Sequence, residues 1–239
     1  MKKAILMAAG RGTRISRYIG DMPKCVLDIG GQPLVRYVVE MLLNNNIEIA
    51  IVVGYKKEMV IKALEGLPVT YYYNPFFDVT NSIASLWFAR EVFNGEDILL
   101  ANADVYWEED ILSILKEENK DPVMLVDSSR KDDGDYFFKF EGDKLLKHGK
   151  DLKRKDISGE YVGVVKVGRT FQPKFVERLE TLINNQEHHL WWENVLYSFI
   201  GEESIYVKDI NGSFWSEVDY IEDYNRIINY RKSKVDRLG

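Results

Sequence analysis

Short apolar runs of strand length alternate with amphipathic helical windows from residue 4 to about residue 101. The apolar runs occupy residues 4–7, 49–53, 69–73 and 98–101. The helical windows lie between them, at residues 33–43, 59–64 and 82–93. Continuous apolar runs of this length suit strands that are buried on both faces. Strands that alternate with helices predict βαβ units, so we expect an α/β fold with a mainly parallel sheet.

The pattern changes after about residue 127. Residues 128–159 are rich in Lys, Asp and Gly, and they hold two short runs split by Glu-Gly-Asp, which predicts a β-hairpin beside the main sheet. Further elements are expected as strands at residues 161–167 and 205–207 and as helices at residues 175–183, 191–199 and 221–230. Because no repeat or linker divides the chain, we expect one domain over residues 1–239, with the hairpin inserted at about 128–159.

Charge and hydropathy exclude several classes of protein. With 38 acidic and 32 basic residues the net charge is −6, so the chain lacks the excess of positive charge that is typical of nucleic-acid-binding proteins. The longest apolar run, residues 4–9, is too short to insert into a membrane or to act as a signal peptide, so a cytoplasmic protein is expected. Cys25 is the single cysteine, which excludes an internal disulfide and a multi-cysteine zinc site.

A glycine-rich loop follows the first strand. It reads Ala8, Ala9, Gly10, Arg11, Gly12, Thr13 and Arg14, and Lys24 follows after Met-Pro. Glycines let backbone amides approach a polyphosphate, and Arg14 and Lys24 would supply positive charge. A P-loop is excluded because Gly-Lys-Ser/Thr is absent, and a dinucleotide fingerprint because Ile15 stands where a small residue is required. The alternative is a flexible glycine turn with solvated arginines.

This loop and its Pro-Lys resemble the signature of nucleotidyltransferases that join a nucleoside triphosphate to a phosphorylated small molecule. The family includes sugar-1-phosphate nucleotidyltransferases and cytidylyltransferases that act on phosphocholine, phosphonates and polyol phosphates. The resemblance implies a Rossmann-like three-layer sandwich of the nucleotide-diphospho-sugar transferase type. It continues at Asn102-Ala103-Asp104 and at Glu217-Val218-Asp219, which are similar to the family's two metal-binding aspartates.

The two aspartates also have a physical rationale. Asp104 follows a buried strand, and ligands of open α/β sheets bind at the carboxyl ends of strands. Asp219 precedes the last helix, and two carboxylates with phosphate oxygens form the oxygen-rich shell that Mg²⁺ prefers. We therefore expect Mg²⁺ on Asp104 and Asp219. Taken singly, each residue can instead be a turn residue or a helix cap.

The resemblance implies in-line attack of an acceptor phosphate oxygen on the α-phosphorus, with release of pyrophosphate. In this hypothesis Arg14, Lys24 and Lys150 are the catalytic residues: Arg14 holds the β- and γ-phosphates, Lys24 bridges donor and acceptor, and Lys150 steadies the acceptor. The expected nucleotide-binding residues are Ala8, Ala9, Gly10, Arg11, Gly12, Thr13, Arg14, Lys24, Thr80, Asn81, Ser85 and Asn102.

The choice of nucleotide is predicted from residues 74–86. Many sugar-1-phosphate members carry a glycine-rich segment here, whereas this chain has Thr80-Asn81-Ser82 and then Ser85, which resembles the small-alcohol-phosphate cytidylyltransferases. CTP is therefore the expected nucleotide. Asn81 and Ser82 can also simply cap the next helix. The alternatives are a sugar-1-phosphate nucleotidyltransferase that uses UTP, GTP or dTTP, and a nucleotide-binding regulator without turnover.

Aromatic and acidic residues indicate the acceptor. The acceptor-binding residues expected are Tyr136, Lys150, Glu160, Tyr161, Trp192 and Glu193. Aromatic rings with a carboxylate can enclose an ammonium group. Together with the resemblance, this implies phosphocholine, phosphoethanolamine, 2-aminoethylphosphonate or a similar small acceptor. The alternatives for the Trp191-Trp192 pair are a place in the core and a contact between two copies of the chain in a homodimer.

Overall fold

The computed structural model describes residues 1–12, 14–132 and 134–238. In these ranges the strands are β1 (Lys3–Ala8), β2 (Glu48–Val53), β3 (Val69–Tyr73), β4 (Ile98–Asn102), β5 (Val105–Trp107), β6 (Val123–Asp127), β7 (Phe137–Glu141), β8 (Lys144–Gly149), β9 (Gly159–Val167), β10 (Tyr206–Asp209) and β11 (Trp215–Glu217). The helices are α1 (Ser16–Ile19), α2 (Leu34–Asn44), α3 (Lys57–Ala63), α4 (Ser82–Phe88), α5 (Glu109–Glu117), α6 (Gln172–Asn184), α7 (Asn194–Tyr197) and α8 (Ile221–Leu238).

One nine-stranded sheet has the order β3-β2-β1-β4-β9-β6-β10-β8-β7. Strands β3, β2, β1 and β4 are parallel, as are β6 and β10, whereas β9 is antiparallel to β4 and β6. The predicted α/β class is confirmed. The sheet is mixed, however, and not mainly parallel, because β9 runs against β4 and β6, and β8 runs against β10 and β7. Since Ala8 pairs with Val53 and Met7 with Asn102, the carboxyl ends of β1, β2 and β4 meet at one edge.

Apolar side chains cover both faces of the sheet. Along β1, Leu6 packs into one buried cluster and Ile5 into the other, so the strand is apolar at successive positions. Helices α2, α5 and α8 contribute to the first cluster, and α4, α6 and α7 to the second. This arrangement is the expected three-layer sandwich. A fully buried side chain such as Leu6 contributes about 1.5–3 kcal/mol to stability.

Helix α4 is shorter than predicted. The Asn81 side chain accepts a hydrogen bond from the Ser82 amide at 2.8 Å, which caps the helix at its first turn. The helix ends at Phe88, before a short 3-10 turn at Arg90–Val92. The helix expected at residues 191–199 is likewise reduced to α7.

Strands β7 and β8 pair with each other at the edge of the sheet, and β7 also pairs with β9. Gly142 in the turn between them has φ +58°, a conformation that favours glycine. Within the described ranges, no helix combines the length and the apolar character needed to cross a bilayer.

Candidate active site

A cavity of about 520 Å³ lies at the carboxyl ends of β1 and β4, where open α/β sheets bind their ligands. Its wall brings together the following residues predicted from the sequence: Ala8, Ala9, Gly10, Arg11, Gly12, Arg14, Lys24, Thr80, Asn81, Ser85, Asn102, Asp104, Tyr136, Lys150, Glu160, Tyr161, Glu193 and Asp219. Thr13 lies outside the described residues.

The loop after β1 depends on glycine where it meets Lys24. Gly12 has φ +62°, and a Cβ placed on it would lie 2.5 Å from Lys24 Cγ. Gly54, at the end of β2, is similarly close to Ala9, since its Cβ would lie 2.8 Å from the Ala9 carbonyl oxygen. Because glycine has no side chain, the loop can pack closely against the aliphatic part of the Lys24 side chain and against the end of β2.

Lys24 lies between the two predicted aspartates. Its Nζ is 3.3 Å from Asp104 Oδ2 and donates a hydrogen bond to Asp219 Oδ1. The side chain is buried, with Lys24 only 9% exposed. Burial lowers the pKa of Lys24, but Asp104 and Asp219 outweigh it and hold that pKa above its ordinary value, so the ammonium stays charged.

Arg14 approaches the same carboxylates from the loop. Its Nη1 donates to Asp135 Oδ2 at 2.9 Å and to Asp219 Oδ2. A hydrogen bond with Asp219 raises the pKa of Asp135 above its ordinary value. Burial, together with Asp104 and Asp219, raises the pKa of Glu217 well above the usual range. This end of the cavity therefore concentrates carboxyl groups around two cationic side chains.

The carboxylate pair suits a hard divalent cation. Asp104 and Asp219 both face the Lys24 ammonium, so their oxygens converge on one region of the cavity, and they are the ligand type that Mg²⁺ prefers. Among the described residues, no group of three or more His, Cys, Asp or Glu side chains is arranged as a metal site. The pair therefore fits a metal that takes its other ligands from a bound polyphosphate and water.

Aromatic rings line another part of the cavity wall. The Tyr136 ring meets Trp191 edge-on at 5.6 Å and stacks against Tyr197 at 5.8 Å between ring centroids. Tyr161 also lines the cavity and is buried. These rings come from the loop before β7, from β9, from the segment before α7 and from α7 itself, so the fold assembles the aromatic wall from distant parts of the chain.

Glu193 is buried beside these rings. One of its carboxylate oxygens accepts a hydrogen bond from Asn102 Nδ2 at 3.2 Å. Burial raises the pKa of Glu193 to about 7. Glu193 is absent from the ion pairs formed by the described side chains. An ionised buried carboxylate without a cation is costly, so this position favours a positively charged ligand.

The structure corrects the prediction for Trp192. Trp192 is fully buried in the core, and its Nε1 donates to Asn102 Oδ1 at 2.8 Å. Its neighbour Trp191 lines the cavity instead, with Lys150 Nζ 5.3 Å from the ring centroid. Successive side chains point in different directions, so only one of the two tryptophans can face the cavity. Trp192 acts indirectly, because it orients the Asn102 amide that binds Glu193.

Glu160 lines the cavity but is already paired. Its Oε2 lies 2.9 Å from Arg130 Nε, and its Oε1 accepts from the Asp135 amide at 3.0 Å. Burial raises the pKa of Glu160 to about 7, although Arg130 lowers it. These contacts fix the loop that presents Asp135 and Tyr136, and a direct contact of Glu160 with an acceptor stays a prediction.

The predicted base-binding segment is held by Asn74. The Asn74 side chain is fully buried and donates to Thr80 Oγ1 at 3.2 Å and to Ser85 Oγ at 3.0 Å. Asn81 caps α4 and also lines the cavity, so its role as a helix cap is compatible with the predicted role in nucleotide binding.

The comparison with known families decides the class. The sequence model of a family described as "MobA-like NTP transferase domain" matches residues 4–192, well over half of the chain. The chain belongs to this family. The predicted class of enzyme, a nucleotidyltransferase, is thereby confirmed. Members of the MobA-like NTP transferase family generally use a divalent metal ion.

Two similar proteins and one similar solved structure cover nearly the whole of this chain. A choline-phosphate cytidylyltransferase from Streptococcus pneumoniae is 27% identical, with 97% of this chain and 99% of that protein covered. A CTP:phosphoglutamine cytidylyltransferase from Campylobacter jejuni is 24% identical over 92% of this chain and 96% of the relative. A solved CTP:phosphocholine cytidylyltransferase structure from S. pneumoniae has a TM-score of 0.79 at 23% identity, covering 96% and 99% of the two chains, and it shows a shared fold.

Several residues that line the cavity were not predicted from the sequence. They are Met7, Phe77, Asp135, Tyr197 and Glu217. Glu217 stands two residues before Asp219, a spacing that places two side chains on one face of an extended segment. The sequence could therefore have predicted Glu217 as a cavity residue once Asp219 was proposed. Asp135 has no such signal, because its place depends on the long-range contact with Arg14.

Proposed function

We propose that this nucleotidyltransferase is a Mg²⁺-dependent cytidylyltransferase. In this proposal residues 1–239 act as one domain that transfers CMP from CTP to the phosphate or phosphonate of a small acceptor with a cationic head group. Pyrophosphate is released. The observation that carries the choice of acceptor is Glu193, a buried carboxylate without an ion-pair partner among the described residues, walled by aromatic rings.

The choice of CTP is supported by the relatives and by the pocket. Two of the curated relatives are named as cytidylyltransferases, one for choline phosphate and one for phosphoglutamine. In the proposal Thr80, Asn81 and Ser85 face the base, because amide and hydroxyl groups can both donate to and accept from a base edge. Asn74 keeps the hydroxyls of Thr80 and Ser85 in fixed positions.

The acceptor phosphate oxygen attacks the α-phosphorus, the bond from the α-phosphorus to the bridging oxygen breaks, and pyrophosphate leaves with the electron pair. Backbone amides of the loop at residues 10–12 and the Arg14 guanidinium bind the β- and γ-phosphates. Lys24 bridges the donor and acceptor phosphates, and Lys150 orients the acceptor. Catalysis of this kind is mainly positioning and charge neutralisation, so no side-chain base is required.

Asp104 and Asp219 would hold the magnesium ion. Bound there, the ion would neutralise charge on the α-phosphate. The Lys24 ammonium contacts both carboxylates, so it would lie beside the ion and add a second positive charge next to the phosphates.

The proposal is tested by pyrophosphate release in the presence of Mg²⁺. CTP, UTP, GTP, dTTP and ATP are each combined with phosphocholine, phosphoethanolamine, 2-aminoethylphosphonate, phosphoglutamine, inositol phosphate and glucose 1-phosphate. We expect release with CTP and an amine-bearing acceptor, and its loss on addition of EDTA. Turnover of glucose 1-phosphate with UTP, GTP or dTTP would contradict the proposal in favour of a sugar-1-phosphate nucleotidyltransferase. Nucleotide binding without release for any acceptor would favour a regulator.

A further inference from the structure

His148 lies one layer behind the aromatic wall, on strand β8. Its Nδ1 is 2.7 Å from the Tyr136 hydroxyl oxygen, and its ring stacks on Tyr197 with centroids 3.8 Å apart and an interplanar angle of 11°. Tyr136 and Tyr197 line the cavity, and His148 is not among the described residues that do so. His148 therefore contacts two wall residues from behind.

The hydrogen bond between Tyr136 and His148 has a defined direction. Burial raises the pKa of Tyr136 to about 12, so the phenol keeps its proton at neutral pH. Burial also lowers the pKa of His148, so the imidazole is neutral. The phenol therefore donates to Nδ1, and the imidazole proton resides on Nε2.

This bond fixes the orientation of the Tyr136 ring. The Tyr136 backbone is held separately, because its carbonyl accepts a hydrogen bond from the Tyr161 amide at 2.8 Å. With the backbone and the hydroxyl both held, the ring has little freedom to rotate away from Trp191. The Tyr136 hydroxyl is also occupied by His148, so the ring itself remains available to an occupant of the cavity.

We infer that His148 is a positioning residue for the acceptor. It holds Tyr136 through a hydrogen bond and Tyr197 through ring stacking, and these two rings form the wall that contacts the head group of the acceptor. The inference rests on the proposed function, because it assigns Tyr136 and Tyr197 to acceptor recognition. His148 itself touches neither the nucleotide loop nor the carboxylates around Lys24.

Two single variants and their combination test this role by steady-state kinetics. His148→Phe keeps an aromatic ring for stacking and removes the accepting nitrogen, and Tyr136→Phe removes the donating hydroxyl. We expect each to raise the acceptor KM about three- to tenfold, the range for one lost hydrogen bond. The CTP KM and kcat should stay near the wild-type values. The double variant should be no worse than either single variant, because all remove the same bond.

A conservative variant and a spectroscopic signal separate positioning from general stability. His148→Asn returns an acceptor near the Nδ1 position but removes the ring that stacks on Tyr197, so we expect its acceptor KM to lie between those of the wild type and His148→Phe. The imidazole nitrogens of His148, followed by NMR, should shift in Tyr136→Phe. The two other histidines, His188 and His189, are exposed and serve as internal controls.

The outcomes are distinguishable. Wild-type turnover with an unchanged acceptor KM in His148→Phe would overturn the positioning role alone, as would additive effects in the double variant. A parallel rise in the CTP KM would indicate a general structural role and would also overturn it. An unchanged NMR signal of His148 in Tyr136→Phe would refute the hydrogen bond. Absence of turnover by the wild-type protein with every acceptor would contradict the proposed function, and the inference with it.

Discussion

At the residue scale, Lys24 connects the glycine loop to both aspartates, and its charge should be essential for turnover. We expect Lys24→Ala to lower kcat by at least about 100-fold, since a preorganised charge at the transferring group contributes on that order. Pyrophosphate release measures the loss, and circular dichroism checks that the protein is folded. A folded Lys24→Ala protein with wild-type turnover would remove the basis of the mechanism.

Lys166 provides a matched control for this substitution. It is as buried as Lys24, but its ammonium donates to the Glu118 backbone carbonyl, and it does not line the cavity. Lys166→Ala should therefore lower the melting temperature and leave the KM for CTP unchanged. A comparable loss of kcat in both variants would indicate that burial of a lysine, and not its place at the site, explains the effect.

Glu193 should make acceptor binding depend on pH. Its pKa is raised to about 7, so the carboxylate that attracts a cation is present above this pH and is lost below it. The KM of an amine-bearing acceptor should fall as the pH rises through about 7. In Glu193→Gln we expect a KM about tenfold higher, in line with loss of a charge-assisted contact, and without this pH dependence.

Glu160 is the control for the pH profile. Burial raises its pKa to about 7 as well, but its ionised form already has Arg130 as an ion-pair partner within the protein. Glu160→Gln should therefore keep the pH dependence of the acceptor KM. The assignment of Glu193 is wrong if Glu160→Gln removes that dependence and Glu193→Gln keeps it.

At the scale of elements, the loop after β1 accommodates only glycine at position 12, where it packs against Lys24. Gly12→Ala introduces a Cβ that meets the Lys24 stem at 2.5–2.9 Å, and it also strains a residue with φ +62°. We expect kcat to fall about 10- to 100-fold, because small misplacements of a catalytic group have effects of this order. Steady-state kinetics with CTP would measure it.

Gly20 separates strain from the clash with Lys24. It has φ +61°, nearly that of Gly12, and a Cβ added there meets nothing within 4 Å. Gly20→Ala should cost about 1–2 kcal/mol of stability, the ordinary penalty of a left-handed residue, and leave kcat near its wild-type value. Equal losses of kcat in both variants would show that backbone strain alone is responsible.

The sequence predicts elements well where the pattern is local and less well where pairing is distant. Strands β1 to β4 appear as apolar runs because each is buried on both faces. Strands β5 and β11 have three residues each and exist because Trp215 pairs with Trp107 across the fold, which no local pattern reveals. The direction of β9 is equally hidden, since an apolar run reads the same for parallel and antiparallel strands.

Helix α5 and the candidate site show the same contrast. The spacing of Ile111, Leu112 and Leu115 is a readable helical pattern, although no helix was predicted there. At the site, the sequence identifies Lys24 and Asp219 by motif, but only the structure pairs Arg14 with Asp135 or decides which tryptophan faces the cavity.

At the scale of the whole molecule, buried carboxyl groups should make the free protein less stable at alkaline pH. Burial raises the pKa of Glu160 and Glu193 to about 7 each and that of Glu217 well above the usual range. Between pH 6.5 and 8 the folded state binds more protons at these groups than the unfolded state does, so the free energy of unfolding falls as the pH rises. From Glu160 and Glu193 alone we expect a decrease of about 1.5 kcal/mol, to which Glu217 adds, measured by urea denaturation at the two pH values.

The double variant Glu160→Gln/Glu193→Gln tests the source of this pH dependence. It should reduce the slope, because glutamine has no proton to lose over this range, and Glu217 would account for what remains. An amine-bearing acceptor should stabilise the wild-type protein more at pH 8 than at pH 6.5, since it supplies the cation that the ionised Glu193 lacks. A wild-type stability that rises from pH 6.5 to pH 8 without ligand would mean that these carboxyl groups are already ionised in the folded protein and that cationic side chains compensate their charge. Glu193 would then no longer favour a cationic acceptor.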